Sequence, residues 1–397
     1  VQIGEMIFHT CNGEEMHWFH IIKKCRRIYM DTIKIGIVGI GVISGIYLEN
    51  ITDTFKEIEV LAVCDLVREK AERATPKYGI PKLYDTMEEL FADTEIDIVL
   101  NLTRPYEHFD VTYAALMAGK HVYSEKPLGA TLGEGRKLVA LAREKNLLIG
   151  GAPDTFLGAG IQTCRKMIDD GMIGAVVGAS AFMVCRGHET WHEDPEFYYK
   201  FGGGPMMDMG PYYLTALVNL VGSVESVSGM SKKSFSTRTI TSQPLSGTVV
   251  DVDVPTYITG MMRFDNGAIG TIFTTFDVYT AEVPHIEIYG SHGTLSVPDP
   301  NTFGGRVRLY RPGSNELKEI PLLFQYEENS RALGLADMAK AIQSGRTPRA
   351  NSSLTYHVLE IMTSIEESSI QRREIDLESR YIREKPMTYQ DMVGVLD

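Results

Sequence analysis

Between residues 30 and 150, short apolar runs alternate with helical segments, and this alternation constrains the fold more than any other feature of the chain. Ile33 to Val38 is the first run, and Val60 to Cys64, Ile98 to Leu102, His121 to Ser124 and Leu147 to Gly150 repeat the form. Runs this short and this rich in β-branched residues read as buried strands. The segments between them carry helix signals. Phe109, Tyr113 and Leu116 share one face that ends at Gly119, and Thr131 to Glu134 makes a capping box ahead of Leu138, Leu141 and Ala142. Strands joined by helical crossovers pair in parallel, so residues 30–150 are expected to form a doubly wound α/β sheet.

The texture changes after Gly151. A helix is expected around Ile161 to Asp170, followed by longer alternating segments at Val176 to Val184, Tyr257 to Phe264, Ala268 to Phe276 and His285 to Tyr289. Asp265-Asn266-Gly267 and Ser291-His292-Gly293 are turn signals between them, which favours antiparallel hairpins in one open sheet. Leu354, Val358, Ile361 and Ile365 mark a last helix. Residues 151–397 are thus expected as an α+β domain, an open antiparallel β-sheet with helices on one face. The length of 397 residues and a 44% hydrophobic content suffice for two cores. Residues 1–29 lack either periodicity and mix His9, Cys11, His17, His20 and Cys25 with a basic end, so they are expected to be a poorly ordered extension. Their His and Cys have no metal-site spacing, and no metal is expected.

Charge and composition narrow the partners. Lys and Arg total 39 against 52 Asp and Glu, a net charge of −13 that repels a phosphate backbone, so nucleic acid is not an expected partner. No apolar run reaches the roughly 18 residues of a membrane span. Five cysteines without a CxxC pair fit a reducing cytoplasm.

Gly36-Ile37-Val38-Gly39-Ile40-Gly41-Val42-Ile43-Ser44 stands where the first strand should turn into the first helix. Gly39 permits the tight turn, Gly41 lets the backbone of the Gly41-Val42-Ile43 turn approach a pyrophosphate, and Ser44 is small enough for the helix packing position. Glycines alone say little. Asp65 adds weight, because it ends the second strand 24 residues beyond Gly41, where a carboxylate can accept both hydroxyls of an adenosine ribose; a helix cap or surface acid is the plainer reading. A carboxylate also repels a 2′-phosphate. NAD is therefore the expected cofactor, with Arg68 leaving NADP open.

The string Ala115-Leu116-Met117-Ala118-Gly119-Lys120-His121-Val122-Tyr123-Ser124-Glu125-Lys126-Pro127 resembles the Gfo/Idh/MocA oxidoreductases, and Ile168 to Gly174 and Glu287 to Leu295 also look like segments of that family. The resemblance covers about residues 32–385. It implies an N-terminal Rossmann domain, a C-terminal sheet that packs into dimers or tetramers, and a sugar, cyclitol or related polyol held in the cleft. It also implies a cis Lys126-Pro127 bond and places Thr103, Arg104, His108, Glu125 and Lys126 near the cofactor, although helix capping explains His108 almost as well. Lys126 follows a strand's carboxyl end, where open α/β sheets bind ligands, and is expected to donate to the reacting hydroxyl and help pass its proton; a surface pair with Glu125 is the alternative.

Gly202-Gly203-Gly204-Pro205-Met206-Met207-Asp208-Met209-Gly210-Pro211-Tyr212 is similar to a family segment in which an aspartate and a histidine join the lysine around the substrate. Asp208 matches; Tyr212 stands in the histidine's place. On a helix the two project to one side, and a capped helix with a core tyrosine is the competing reading. Tyrosine titrates near 10 against about 6.5 for histidine, so Tyr212 is expected to take the alcohol proton with its phenol lowered by Lys126 and by the nicotinamide of the oxidised cofactor, Asp208 holding Lys126 or an adjacent hydroxyl. His188, Trp191 and His192, in a polar and aromatic loop just before the glycines, are expected to touch substrate, with a packed loop as the alternative. The expected function is hydride transfer between nicotinamide and a secondary hydroxyl of a sugar, glycoside or cyclitol. A redox glycosidase, which oxidises and then eliminates, is the alternative on the same fold, and a non-catalytic nucleotide-binding regulator is a third.

Overall fold

The structure is a computed structural model that describes residues 32–314, 316–388 and 396. The expected extension at residues 1–29 lies outside the described residues. The first strands are β1 (Ile33–Val38), β2 (Ile58–Cys64), β3 (Lys82–Leu83), β4 (Ile98–Asn101), β5 (His121–Ser124) and β6 (Ile149–Gly151). They form a six-stranded sheet in the order β3-β2-β1-β4-β5-β6, every pair parallel. Helices α1 (Ser44–Asp53), α2 (Arg68–Tyr78), α3 (Met87–Ala92), α4 (His108–Met117) and α5 (Leu132–Lys145) make the crossovers. Ile35, Ile37, Ile98, Val99 and Leu100 are sealed from solvent, as strands covered on both faces require. Thr131 and Glu134 cap α5 reciprocally. Strand order reverses between β1 and β4, which opens a crevice beyond the carboxyl ends of these strands.

The second sheet has nine strands. They are β7 (Val176–Val184), β8 (Val224–Lys232), β11 (Tyr257–Phe264), β12 (Ile269–Thr275), β13 (Ile286–Gly290), β14 (Gly293–Val297), β15 (Val307–Tyr310), β16 (Lys318–Ile320) and β17 (Ile375–Asp376), in the order β16-β15-β14-β13-β7-β12-β11-β8-β17. A separate ribbon pairs β9 (Thr237–Thr239) with β10 (Val249–Asp251). The hairpins at Asp265 to Gly267 and Ser291 to Gly293 form as their turn residues predict. The sheet is mixed rather than wholly antiparallel, because β7 runs parallel to β12. These two strands are joined through a helix and several other strands rather than a tight turn, so nothing local forces them to run in opposite directions.

Helices α6 (Ala159–Asp169), α7 (Gly204–Leu220), α8 (Leu333–Ser344) and α9 (Ser352–Gln371) complete the described fold. Leu354, Val358, Ile361 and Ile365 are buried on α9, the face their spacing predicts. Gly229 and Gly260 are register partners on β8 and β11, and a Cβ at Gly260 would come within 2.7 Å of Ile365 Cδ1. Two glycines side by side let the helix settle onto the sheet. No helix among the described residues is long and apolar enough to cross a membrane.

His357 pins α9 to the segments around it. Its Nε2 accepts from Val224 N at 3.0 Å, so the ring proton sits on Nδ1, which lies 2.7 Å from Ser379 Oγ. Burial pushes the imidazole down to about 4. The unfolded chain binds this proton near pH 6.5 and the folded chain only near 4, so the contribution is intact above the higher value and lost as pH falls between the two. Urea midpoints taken across this window should fall more steeply with acidification in the parent chain than in His357→Gln.

Candidate active site

The glycine loop leaves β1 at the strand-order reversal. Gly39 adopts φ +97°, and a Cβ there would stand 2.8 Å from the Leu102 carbonyl carbon, so both conformation and space demand glycine. Nothing lies within 4 Å of the Cβ position at Gly41, which leaves room for a group to approach the backbone. The amides of Gly41, Val42 and Ile43 have no backbone acceptor among the described residues outside regular helix and strand bonding. Open space and free donors ahead of a helix N-terminus suit a pyrophosphate. Asp65 braces this loop, its Oδ2 accepting from Ile40 N at 2.6 Å and its Oδ1 from Val67 N at 2.7 Å. Arg68 is drawn away to Glu72, at 2.8 Å, and to Asp85.

Lys126 follows β5, and its peptide bond to Pro127 is cis. Its Nζ donates to Asp208 Oδ1 at 2.7 Å and to the Asp208 carbonyl oxygen at 2.8 Å. Asp208 sits on the first turns of α7, which follows Gly202, Gly203 and Gly204; a Cβ at Gly203 would lie 2.5 Å from the Phe197 carbonyl, so only glycine lets the incoming loop pass. The other carboxylate oxygen, Oδ2, lies 2.9 Å from His188 Nε2. Burial alone would raise the Asp208 carboxyl, but the Lys126 ammonium and the His188 bond hold it well below the usual range. Burial alone would lower Lys126, and Asp208, Tyr212 and Glu125 more than reverse it, so the ammonium keeps its proton.

Tyr212 lies one turn beyond Asp208, and the Lys126 ammonium stands 5.3 Å from its ring centroid. Lys126 does act to lower the phenol, as expected of a cation, but it does not act alone. Burial dominates over Lys126 and Arg331, and the net shift is upward. Arg331, which the sequence reading missed, brings NH2 to 3.5 Å from the Tyr212 hydroxyl while bonding Asn301 Oδ1 at 2.9 Å. Asp154 and Tyr47 were missed as well. Burial raises Asp154 to about 6, and Tyr47 donates to Glu125 Oε1 at 2.8 Å. None of these three sits in a recognisable string; only tertiary contact gathers them.

The loop before α7 stacks as an aromatic cluster. His188 packs against Trp191, Tyr198 and Phe276, with centroids at 5.2, 4.2 and 4.7 Å. Trp191 is exposed, and His192 turns its Nδ1 to Asp194 N at 3.0 Å rather than to Asp208. Thr103 bonds back to Asn101, and Arg104 reaches Asp194 at 3.0 Å from an exposed position. His108 is buried between Pro127 O at 2.8 Å and Thr103 O at 3.1 Å. Burial lowers its pKa, and a neutral ring has one N–H for two carbonyls, so the shorter bond is the one it makes. Thus Lys126, Asp208, His188 and Tyr212 converge, while Arg104, Trp191 and His192 stand apart from that contact. No grouping of three or more potential metal ligands is found among the described residues.

With this geometry in view, relatives can be compared. The model of the oxidoreductase family with an NAD-binding Rossmann fold matches residues 33–151, and that of the GFO/IDH/MocA C-terminal domain matches residues 161–296. The chain belongs to the Gfo/Idh/MocA oxidoreductase family. Inositol 2-dehydrogenase of Salmonella typhimurium is 39% identical over 116 residues, 29% of this chain and 34% of that protein. The chain thus spans about a third of the length of such relatives where they match. A scyllo-inositol 2-dehydrogenase (NADP(+)) of Bacillus subtilis is 22% identical over 382 residues, 90% of this chain and 99% of that protein. Levoglucosan dehydrogenase in complex with NADH shares the fold, with a TM-score of 0.76 at 20% identity over 88% of this chain and 100% of that one.

Beneath the His188 loop, Arg238 of the ribbon donates to Glu189 Oε1 at 2.9 Å and contacts Asp277, all three side chains being buried. Glu189 also accepts from Tyr199. Arg238→Met would leave two buried carboxylates without their counter-charge. It should cost roughly 3–5 kcal/mol of stability, measured by denaturant unfolding, and speed proteolysis of the loop at residues 187–199.

Proposed function

We propose that the chain is an NAD-dependent oxidoreductase that acts on a secondary hydroxyl of a sugar, glycoside or cyclitol. The observation that carries this reading is the half-buried Lys126–Asp208 pair, whose lysine stands after β5 in the same Rossmann unit as the open glycine loop. Gly39, Gly41, Val42 and Ile43 would hold the pyrophosphate and Asp65 the ribose. Bound nicotinamide supplies the hydride acceptor. Arg68, the basic residue nearest to Asp65 in sequence, is paired to Glu72 and Asp85, which supports NAD over NADP.

The ammonium of Lys126 is a fixed donor for the substrate oxygen. As the alcohol becomes a carbonyl, negative charge gathers on that oxygen, and a charge-assisted bond from Lys126 stabilises it more than the starting hydroxyl. Asp208 holds the ammonium in place. Tyr212 borders the same ammonium, and His188, Trp191 and His192 offer the ring faces and polar edges that a sugar's alternating C–H and O–H surface takes up.

The relatives' names point the same way: the matched proteins include inositol 2-dehydrogenase and D-glucoside 3-dehydrogenase. Cys64, Cys164 and Cys185 are free thiols, which fits a reducing cytoplasm. For oligomerisation we assign the outward face of β11 and β12, where Met261 and Ile269 are 56% and 48% exposed. Met261→Glu should then yield a smaller species in sedimentation.

Titration calorimetry with the full chain should show NAD binding roughly 10-fold or more tighter than NADP. A panel of sugars, cyclitols and glycosides should then give reduced nicotinamide absorbance and a product lighter by two hydrogens. Lys126→Met should keep NAD affinity and lose about 10²-fold or more in turnover. Absence of nucleotide binding would overturn the assignment. Aglycone release without accumulating reduced cofactor would replace it with the glycosidase reading.

A further inference from the structure

We propose that His188 accepts the alcohol proton. The inference rests on the oxidoreductase reading above and deepens it.

Asp208 decides the tautomer. Held well below the usual carboxylate range by Lys126 and His188, it is ionised and can only accept hydrogen bonds. Nε2 of His188, 2.9 Å from Asp208 Oδ2, must therefore carry the ring proton, which leaves the lone pair on Nδ1. Nδ1 has no bonding partner among the described residues, and it is not among the buried atoms left without one, so it is reachable. The ring retains 12% exposure and is wedged by Trp191, Tyr198 and Phe276, which fixes its plane.

The other candidates are poorly disposed to accept. Lys126 is already protonated and paired, and the Tyr212 phenol is shifted upward by burial. Among the charged and titratable groups near His188, Asp208 bonds the ring and is itself held by Lys126, Tyr198 and His192 stand beside it on its own loop, and Tyr199 bonds its backbone. Of these, only Asp208 bonds the ring, and a carboxylate there stabilises the imidazolium as it forms.

The step balances without a further reactant. The O–H bond breaks as its proton joins Nδ1, the oxygen's electron pair forms the carbonyl, and hydride from the same carbon passes to oxidised nicotinamide. His188 is left as imidazolium beside the Asp208 carboxylate, and Lys126 stays protonated throughout.

His188→Gln keeps an amide able to donate to Asp208 but supplies no basic lone pair. It should retain NAD affinity, lose about 10²- to 10⁴-fold in oxidation rate and lose the fall in kcat/KM toward low pH, whereas Tyr212→Phe should keep that fall. In the full chain without substrate, ¹⁵N spectra of labelled histidines, with His188 assigned through His188→Gln, should show its proton on Nε2 at neutral pH. Asp208→Asn should abolish that preference. A proton on Nδ1, or an unchanged low-pH limb in His188→Gln, would overturn the proposal. If no compound in the panel is oxidised, the oxidoreductase reading fails by itself, and the spectra still decide the state of His188.

Discussion

One half-buried ion pair ties the two sheets together at the crevice. Lys126 leaves the parallel sheet, Asp208 rides on the helix that packs against the mixed sheet, and the 2.7 Å contact between them spans 82 positions of sequence. Burial pushes each group toward its neutral form, and the opposite charge of its partner pushes back. Each therefore preserves the other's charge. Because Nζ also bonds the Asp208 main-chain oxygen, the helix is placed along with its side chain, and Tyr212 one turn on is placed with it.

The second oxygen of Asp208 extends this control to the loop at residues 187–199. That loop is tethered from behind by Arg238, whose guanidinium joins Glu189 on the loop to Asp277 after β12. Burying three charges costs desolvation that their mutual attraction only partly offsets. What the cluster gives in return is a single geometry. His188 stands directly before Glu189, so a rigid Glu189 restricts where the imidazole can lie, and the aromatic stack completes the restriction.

The parallel sheet was legible because its signals are local. Strand lengths, the capping box of α5 and the positive φ at Gly39 follow from neighbours in sequence. The Lys126 string and Asp208 were legible for another reason: they stand in a recognised family pattern. Arg331, Asp154 and Tyr47 had neither advantage, since each meets the residues around Lys126 from a different element and its neighbourhood in sequence looks ordinary. The parallel pairing of β7 with β12 was hidden for the same reason, as no turn connects them. The direction of the Tyr212 shift could not be read either, because it depends on how deeply the phenol is buried against how near the cations come.

Tyrosine at position 212 has a rationale once His188 occupies the crevice from the opposite side. A second imidazole on α7 would compete for Asp208, whose two oxygens are already committed to Lys126 and His188. A phenol makes no such demand. It offers its ring face to the ammonium at 5.3 Å and its hydroxyl toward Arg331, so it fills the position without disturbing the carboxylate. A proton acceptor on a loop rather than a helix is also open to different regulation. Trp191 is exposed and packs beside His188, so under the proposed assignment a sugar stacked on Trp191 would touch the ring's surroundings. Proton acceptance and substrate docking would then depend on the same short stretch of chain, so a poorly fitting sugar would be disfavoured in the chemical step as well as in binding.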